Sequence, residues 1–327
     1  MLKFSLLGYG HIGKVHRQAI AETEGAELVG IIDMALPEEE EDGIQYYRTL
    51  ETFLNTDTET DVVIIATPNG LHREHAIRCL NSGKHVLIEK PMALDTERAT
   101  EILSVAQSKG LRVFSSMQLR FSPPVSYVKK LLDNGSLGEV YMVNIQCYWN
   151  RNKNYYKTRE WHGTQDMDGG VLFTQFSHFI DIVNYWFDEV QCESASFFNF
   201  NHQGITDFPD SGKLDFKAGT AEGTMIFTTS VFEQNYESSM VIIAEKGTIK
   251  IGDQYLNELK YSNLKNIACP QSSLSTSVKN FHPDAIKEIV ETLSENRSSI
   301  LDGHHAVRLV QFIEDAYKLS DQKLILH

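Results

Sequence analysis

Apolar and polar positions along the first third of the chain switch repeatedly between a strand period and a helix period. Residues 3–7 form a β-rich run, residues 15–21 read as a helix, and residues 27–32 read as a second strand. Residues 61–66 are almost wholly apolar, as expected of a parallel strand covered on both faces. A helix over 71–81 ends at Ser82-Gly83, and residues 86–88 form a short buried strand. Asp95 caps a helix that runs to about 109, and a further strand covers 111–116. This alternation predicts an α/β fold whose first part is a doubly wound parallel sheet ending near residue 118. Pro123 and Pro124 then mark a crossing into a second part. There the pattern predicts a helix over 125–132, a long strand over 139–149 and a helix over 171–187. Strands follow at 190–200, 222–230, 238–244 and 248–251, then a polar loop over 252–277 and closing helices at 284–294 and 304–319.

The length of 327 residues suits two domains, each large enough to bury a core. Net charge is -14, which argues against nucleic acid or anionic membrane as a partner. An anionic ligand must therefore be held locally, against the overall field. The four cysteines form no CxxC pair. With no signal peptide evident, reduced thiols and a cytoplasmic location are expected. The apolar N-terminal run is too short to span a bilayer. The acidic run at 36–42 reads as a solvated loop.

Between the first strand and helix lies Gly8-Tyr9-Gly10-His11-Ile12-Gly13, and Asp33 follows Gly13 by 20 residues at the end of the second strand. That context and spacing predict a dinucleotide site. Gly8 permits the turn, Gly10 admits the pyrophosphate, Gly13 lets helix and strand pack, and the amides near His11 and Ile12 face the phosphates. Asp33 accepts the ribose hydroxyls of NAD and repels the extra phosphate of NADP; Met34 and Ala35 supply no offsetting cation. Thr67-Pro68-Asn69-Gly70 breaks the next strand at its carboxyl end, where such sheets bind ligands. His72 and His75 lack a third ligand, so no metal is expected there, and His304-His305 reads as structural. Glu89-Lys90-Pro91 closes the strand at 86–88. Desolvation disfavours an ammonium at that position unless the site needs it, and Pro91 restricts the backbone of Lys90.

Two stretches of the second part carry candidate chemistry. Over 150–163, Arg151, Lys153, Lys157 and Arg159 face only Glu160, with Tyr155, Tyr156 and Trp161 interleaved. In so acidic a chain this suits an anionic ligand with a flat or sugar-like face, and equally a loop packing its aromatics at a subunit contact. In the helix over 171–187, which follows Asp168-Gly169-Gly170, Thr174, His178, Asp181 and Tyr185 recur along one face. His178 is a base candidate, with Asp181 placed to orient or charge-balance it.

In order, Gly8-x-Gly10-x-x-Gly13-x-x-His16, Thr67-Pro68-Asn69 with His72, Glu89-Lys90-Pro91 and Gln118-Leu119-Arg120-Phe121 resemble the glucose–fructose oxidoreductase/inositol dehydrogenase (Gfo/Idh/MocA) family. The resemblance implies an NAD-binding Rossmann domain over 1–120. It implies a substrate-binding and oligomerisation domain over 121–327, with an open, mostly antiparallel sheet. It adds Thr67, Pro68, Asn69, His72, Glu89, Lys90 and Gln118 to the cofactor contacts. It also places Lys90 beside the nicotinamide and the reacting carbon, with His178 on the catalytic helix. Many members carry an aspartate four residues before that histidine, where this chain has Thr174.

Asn150-Arg151, Tyr155-Tyr156, Trp161-x-Gly163-Thr164, Asp168-Gly169-Gly170 and Thr174-Gln175-x-x-His178 resemble the UDP-N-acetylglucosaminuronate dehydrogenases, which oxidise a 3-hydroxyl with NAD. The implied substrate contacts are Arg151, Tyr155, Tyr156, Arg159, Trp161, Thr174, Gln175 and His178, in a homodimer or homotetramer. The chemistry expected is hydride removal from a secondary alcohol. Lys90 stabilises the developing alkoxide, and His178 accepts the proton, directly or through Tyr156 or water. An NAD-dependent glycosidase and a non-catalytic NAD sensor are the alternatives.

Overall fold

The computed structural model describes residues 1–35, 43–267 and 274–324, with side chains through 320. The acidic run at 36–42 and Cys269 lie outside the described residues. By internal contacts the chain forms two compact units. One is Met1–Gln118 with Asn280–Val310; the other is Leu119–Lys279 with the residues from Gln311 on. The division is therefore not into the continuous blocks 1–120 and 121–327. The helix His282–Glu295 buries Ala285, Ile286 and Ile289, and Thr23 Oγ1 donates to Pro283 O at 3.3 Å, which ties this late segment to the first unit.

In the first unit, β1 (Leu2–Leu7), α1 (His11–Ala21), β2 (Ala26–Ile32), β3 (Gln45–Tyr47), α2 (Leu50–Thr56), β4 (Val62–Ile65), α3 (His72–Asn81), β5 (His85–Ile88), α4 (Thr96–Ser108) and β6 (Val113–Ser115) follow one another. The sheet order is β3-β2-β1-β4-β5-β6, with every pairing parallel. Val62, Val63, Ile64 and Ile65 are all fully buried, which is why β4 shows no alternation. Each such side chain contributes roughly 1.5–3 kcal/mol. Asp95 caps α4 as expected, its side chain accepting from Arg98 N at 2.8 Å. β3 and α2 were not anticipated; Thr49 caps α2 by accepting from Thr52 N at 3.1 Å.

The second unit contains α5 (Pro123–Asp133), β7 (Val140–Tyr148), α6 (Lys153–Lys157), α7 (Val171–Thr174), α8 (Ser177–Trp186), β8 (Val190–Phe198), β9 (Ser211–Ala218), β10 (Ala221–Thr228), β11 (Glu237–Ala244), β12 (Gly247–Gly252) and β13 (Glu258–Leu264). Its seven-stranded sheet has the order β13-β12-β11-β7-β10-β9-β8 and is antiparallel except where β10 runs parallel to β7. One face buries Val143, Ile145, Leu214, Phe216, Met225, Phe227, Met240 and Ile242. Trp186 of α8 donates its Nε1 to Val125 O of α5 at 3.1 Å.

Two expectations change here. The predicted loop over 252–277 contains β13, a polar edge strand paired only with β12. The predicted helix over 171–187 is broken at Gln175 and Phe176. Val171 O accepts from both Gln175 N (2.9 Å) and Phe176 N (3.1 Å), so the turn widens and the ladder restarts at Phe179 N→Phe176 O, 3.1 Å.

Candidate active site

The glycine-rich turn closes so tightly that side chains are excluded. Gly8 has φ +96°, and a Cβ there would lie 2.7 Å from Ala66 O; one on Gly13 would lie 2.2 Å from Gly8 O. Gly10 begins α1 without a side-chain cap, and no acid occupies the first turn. The amides at His11 and Ile12 are thus suited to phosphate oxygens. Asp33 accepts from Tyr9 N (2.6 Å) and Ala35 N (2.8 Å), which orients its carboxylate. A carboxylate has about four lone-pair sites, so two remain for ribose hydroxyls. The cradle fits a dinucleotide.

The two strand-end turns beside it are braced by histidines. His72 is fully buried and sets Nε2 2.8 Å from Thr67 O and Nδ1 2.7 Å from Pro91 O. A side chain with no exposed surface braces both turns and has no face for the cofactor contact expected of it. Burial holds His72 below the ordinary imidazole value against those two carbonyl bonds. His75 lies 3.0 Å from Thr67 Oγ1, and burial pulls it down to about 4.

Glu89 turns into the protein. Its Oε1 accepts from His16 Nε2 at 2.7 Å and stands 3.8 Å from His282 Nε2; Oε2 accepts from the Lys90 amide at 3.2 Å. The two imidazoles pack edge-on at 4.9 Å. Burial works to raise the Glu89 carboxyl. The short bond to His16 and the Lys90 ammonium nearby outweigh it and hold the group well below the usual carboxylate range. His282 donates Nδ1–H to Asn280 Oδ1 at 2.6 Å, and burial pulls it down to about 4, so it is neutral at pH 7. The ligand atoms of His16, Glu89 and His282 lie within 4.8 Å of one another, a set that by type suits a metal; the short His16–Glu89 bond satisfies it instead. Neither His16 nor His282 was singled out as a site residue. The glycine motif passes through His16, but nothing in the sequence brings His282 to it. Glu89 therefore supports Lys90 through its backbone amide and its charge. Lys90 is half-buried, and Gln118 opens the short turn Gln118–Phe121.

In the second unit three expected substrate residues form one network. Arg151 Nε donates to Gln175 Oε1 at 2.6 Å, and Gln175 Nε2 donates to Tyr155 Oη at 2.8 Å. Arg151 Nη1 donates to Asn150 O at 2.7 Å, and the guanidinium lies 4.8 Å from the Trp149 ring and 5.2 Å from that of Tyr155. His162 stacks on Tyr155 at 4.8 Å and meets Trp161 edge-on at 4.2 Å. Lys153, Lys157 and Arg159 are exposed. Tyr156 turns inward, and burial raises its phenol above the ordinary value, so it is poorly suited to pass a proton. The Thr174 hydroxyl donates back to Asp168.

His178 and Tyr185 are the residues of α8 that retain exposure; the rest of the helix is buried. Asp181 is 1% exposed, and its oxygens accept from Arg120 Nε (2.9 Å) and Nη2 (2.5 Å). The role expected for Asp181, orienting His178, gives way to a buried ion pair that anchors α8 to the chain at Arg120. The break at Gln175 also removes the continuous face that was to carry Thr174, His178 and Asp181 together.

The family models agree with this division of labour. Residues 2–117 match the oxidoreductase family with an NAD-binding Rossmann fold, and residues 125–250 match the Gfo/Idh/MocA C-terminal domain. The chain belongs to the Gfo/Idh/MocA family. It is an NAD-dependent sugar oxidoreductase, and NAD is its cofactor. It is 30% identical to the glucose-6-phosphate 3-dehydrogenase of Bacillus subtilis (strain 168) over 196 residues, 58% of this chain and 54% of that one. It is 35% identical to the inositol 2-dehydrogenase of Rhizobium meliloti (strain 1021) over 148 residues, 44% of each chain. Among solved structures it resembles the WlbA dehydrogenase of Bordetella pertussis in complex with NADH and UDP-GlcNAcA. That match has TM-score 0.92 and 28% identity, covering 98% of this chain and 96% of that one. No described helix of this family member is long and apolar enough to cross a membrane.

Proposed function

We propose that this enzyme oxidises the 3-hydroxyl of a nucleotide-linked uronic acid of the UDP-N-acetylglucosaminuronate type. The observation that carries the reading is Arg151, buttressed by Gln175, Tyr155 and Trp149 in a chain of net charge -14. A fixed guanidinium suits a carboxylate or diphosphate, and Tyr155 and Trp161 suit a sugar or base face. The likeness over nearly the full length to WlbA, solved with NADH and UDP-GlcNAcA, supports the same class. Arg159 adds charge, while Thr174 and Tyr156 hold the segment in shape from behind.

The Gly8–Gly13 turn and Asp33 would hold NAD, which would supply the hydride acceptor for the carbinol carbon. Lys90, as the ammonium, binds the hydroxyl oxygen and stabilises the alkoxide as it forms. His178 accepts the hydroxyl proton, directly or through one water. A homodimer or homotetramer in the cytoplasm completes the reading. The outer face of the second sheet exposes Met142 and Ile243, which pair across β7 and β11, and Ile226 on β10. NADH absorbance in a screen of UDP-uronic acids, free uronic acids and free sugars tests the substrate. Turnover confined to the UDP-uronic acids is expected. Preference for free sugars would overturn the assignment, and release of sugar with no net NADH would identify a glycosidase.

A further inference from the structure

His202 is 2% exposed and lies between β8 and β9, far in sequence from every motif named above. Its Nδ1 is 2.9 Å from Asp210 Oδ2, and its Nε2 is 2.5 Å from the backbone oxygen of Arg151. A carbonyl oxygen cannot donate. Asp210 also accepts from Phe200 N (2.9 Å), Asn201 N (2.9 Å) and Ser211 Oγ (2.6 Å), so its carboxylate is saturated with donors and ionised. Each ring nitrogen of His202 therefore faces an acceptor, and because one of them is an ionised carboxylate, unlike the two uncharged carbonyls around His72, the ring is stabilised with a proton on both nitrogens. The remaining neighbours are the Tyr156 ring, edge-on at 5.3 Å, and Ser230 Oγ, 3.4 Å from Nδ1; the Arg151 guanidinium points away toward Gln175 and Asn235.

We infer that His202 is a positioning residue, held as a doubly protonated imidazolium, which pins the Arg151 peptide and so fixes the guanidinium that grips the substrate's anionic group. The grip itself rests on the reading of Arg151 given under Proposed function; the protonation does not. The opposite edge of the same residue is held too, with Arg151 N donating to Thr229 O at 2.9 Å. Pinned at both backbone groups, the residue presents its side chain to Gln175 and Tyr155 in one orientation. Two directions of titration agree with the geometry. Burial works to lower His202, but the bonds to Asp210 and to the Arg151 carbonyl outweigh it and raise the ring above its ordinary value. Burial likewise works to raise Asp210, but the His202 bond and the other donors hold it well below the carboxylate range. When His202 loses its proton as pH rises through its raised value, a ring lone pair is set against an oxygen and the Arg151 peptide is released.

The test has two independent parts. Long-range 15N–1H correlation of the imidazoles, with His202→Gln to assign the resonance, should show both ring nitrogens protonated in the native enzyme at pH 7. Asp210→Asn should move that titration downward. A singly protonated ring at pH 7 would overturn the inference. In turnover, His202→Gln should raise KM for UDP-N-acetylglucosaminuronic acid about tenfold, the loss of one charge-assisted bond. It should leave kcat within about twofold and KM for NAD unchanged, and abolish the rise of substrate KM with pH that is expected of the native enzyme. An unchanged substrate KM and pH profile in folded His202→Gln would overturn it. If Arg151→Ala leaves substrate KM unchanged, the reading of Arg151 fails, and the link from His202 to substrate with it, while the proton count stands or falls by the spectra.

Discussion

Two buried clusters, one in each unit, pair a carboxylate with histidine and reach opposite charge states. Around Glu89, His282 spends its one ring proton on Asn280 and turns a bare nitrogen toward the carboxylate, 3.8 Å away. Burial then wins, and the ring is neutral at pH 7. Around Asp210, both nitrogens of His202 meet acceptors, and the ring is charged. Both rings are more than nine-tenths covered, so exposed area alone does not separate them, though His282 lies deeper in the protein. A direct hydrogen bond to an ionised carboxylate decides: His202 has one at 2.9 Å, His282 stands 3.8 Å from Glu89, and His72, with uncharged carbonyls on both nitrogens, stays lowered.

The comparison can be broken first at its functional ends. Lys90, beside the first cluster, and His178, in the second unit, are the proposed charge and base. Lys90→Ala and His178→Ala should each cut kcat by about 10²–10⁴ while leaving NAD affinity, read by fluorescence titration, within about threefold. Loss of NAD binding in either would remove the assigned role.

A third buried carboxylate sharpens the contrast. Asp181 faces the guanidinium of Arg120 in a buried ion pair, not an imidazole. Asp181→Ala should cost about 3–5 kcal/mol in denaturant unfolding, because the buried Arg120 guanidinium loses its carboxylate. If stability holds and only the pH profile of kcat moves, Asp181 serves His178 after all.

The two clusters also predict opposite responses to pH. His282 is lowered from 6.5 to about 4, so the unfolded chain takes up a proton that the folded chain refuses. Stability in the first unit is full above pH 6.5 and falls as pH drops toward 4, by on the order of 3 kcal/mol at 1.36 kcal/mol per unit. Glu89 adds to the loss below its ordinary value of 4.5. His202 is raised, so its contribution is full below 6.5 and is lost as pH rises through the higher folded value. Trp149, Trp161 and Trp186 all lie in the second unit, so their fluorescence reports that unit, while circular dichroism reports both. On acidification, ellipticity should fall before tryptophan fluorescence changes. Coincident transitions would show that the difference between the clusters does not reach stability.

The smallest expected effect is at Asp33. Asp33→Ala should weaken NAD binding about 10–100-fold, the value of hydrogen bonds to a charged group, and narrow the preference over NADP. Unchanged discrimination would shift cofactor choice to other residues of the turn.

Much of the first unit was legible because its chemistry is local. The glycine turn, Asp33 and the strand ends at Thr67 and Lys90 follow from a strand–turn–helix rhythm in which each residue acts within its own turn. Strands such as Val62–Ile65 are apolar enough to be seen alone. The second unit was less legible. β13 is polar because it is an edge, and at the helix break the Gln175 side chain is held by Arg151 and Tyr155, 24 and 20 positions away. No period in the sequence records either.

By itself the sequence determined the alternation of strands and helices, the dinucleotide turn, and the candidacy of Asp33, Lys90, Arg151 and His178. Only the tertiary structure decided where the carboxylates point. Glu89 turns to His16 and His282, Asp181 to Arg120, and Asp210 to His202, each partner at least eight positions away in the chain. A buried charge must find its counter-charge in space. Folding sets that choice, and with it which imidazole is neutral and which is a cation.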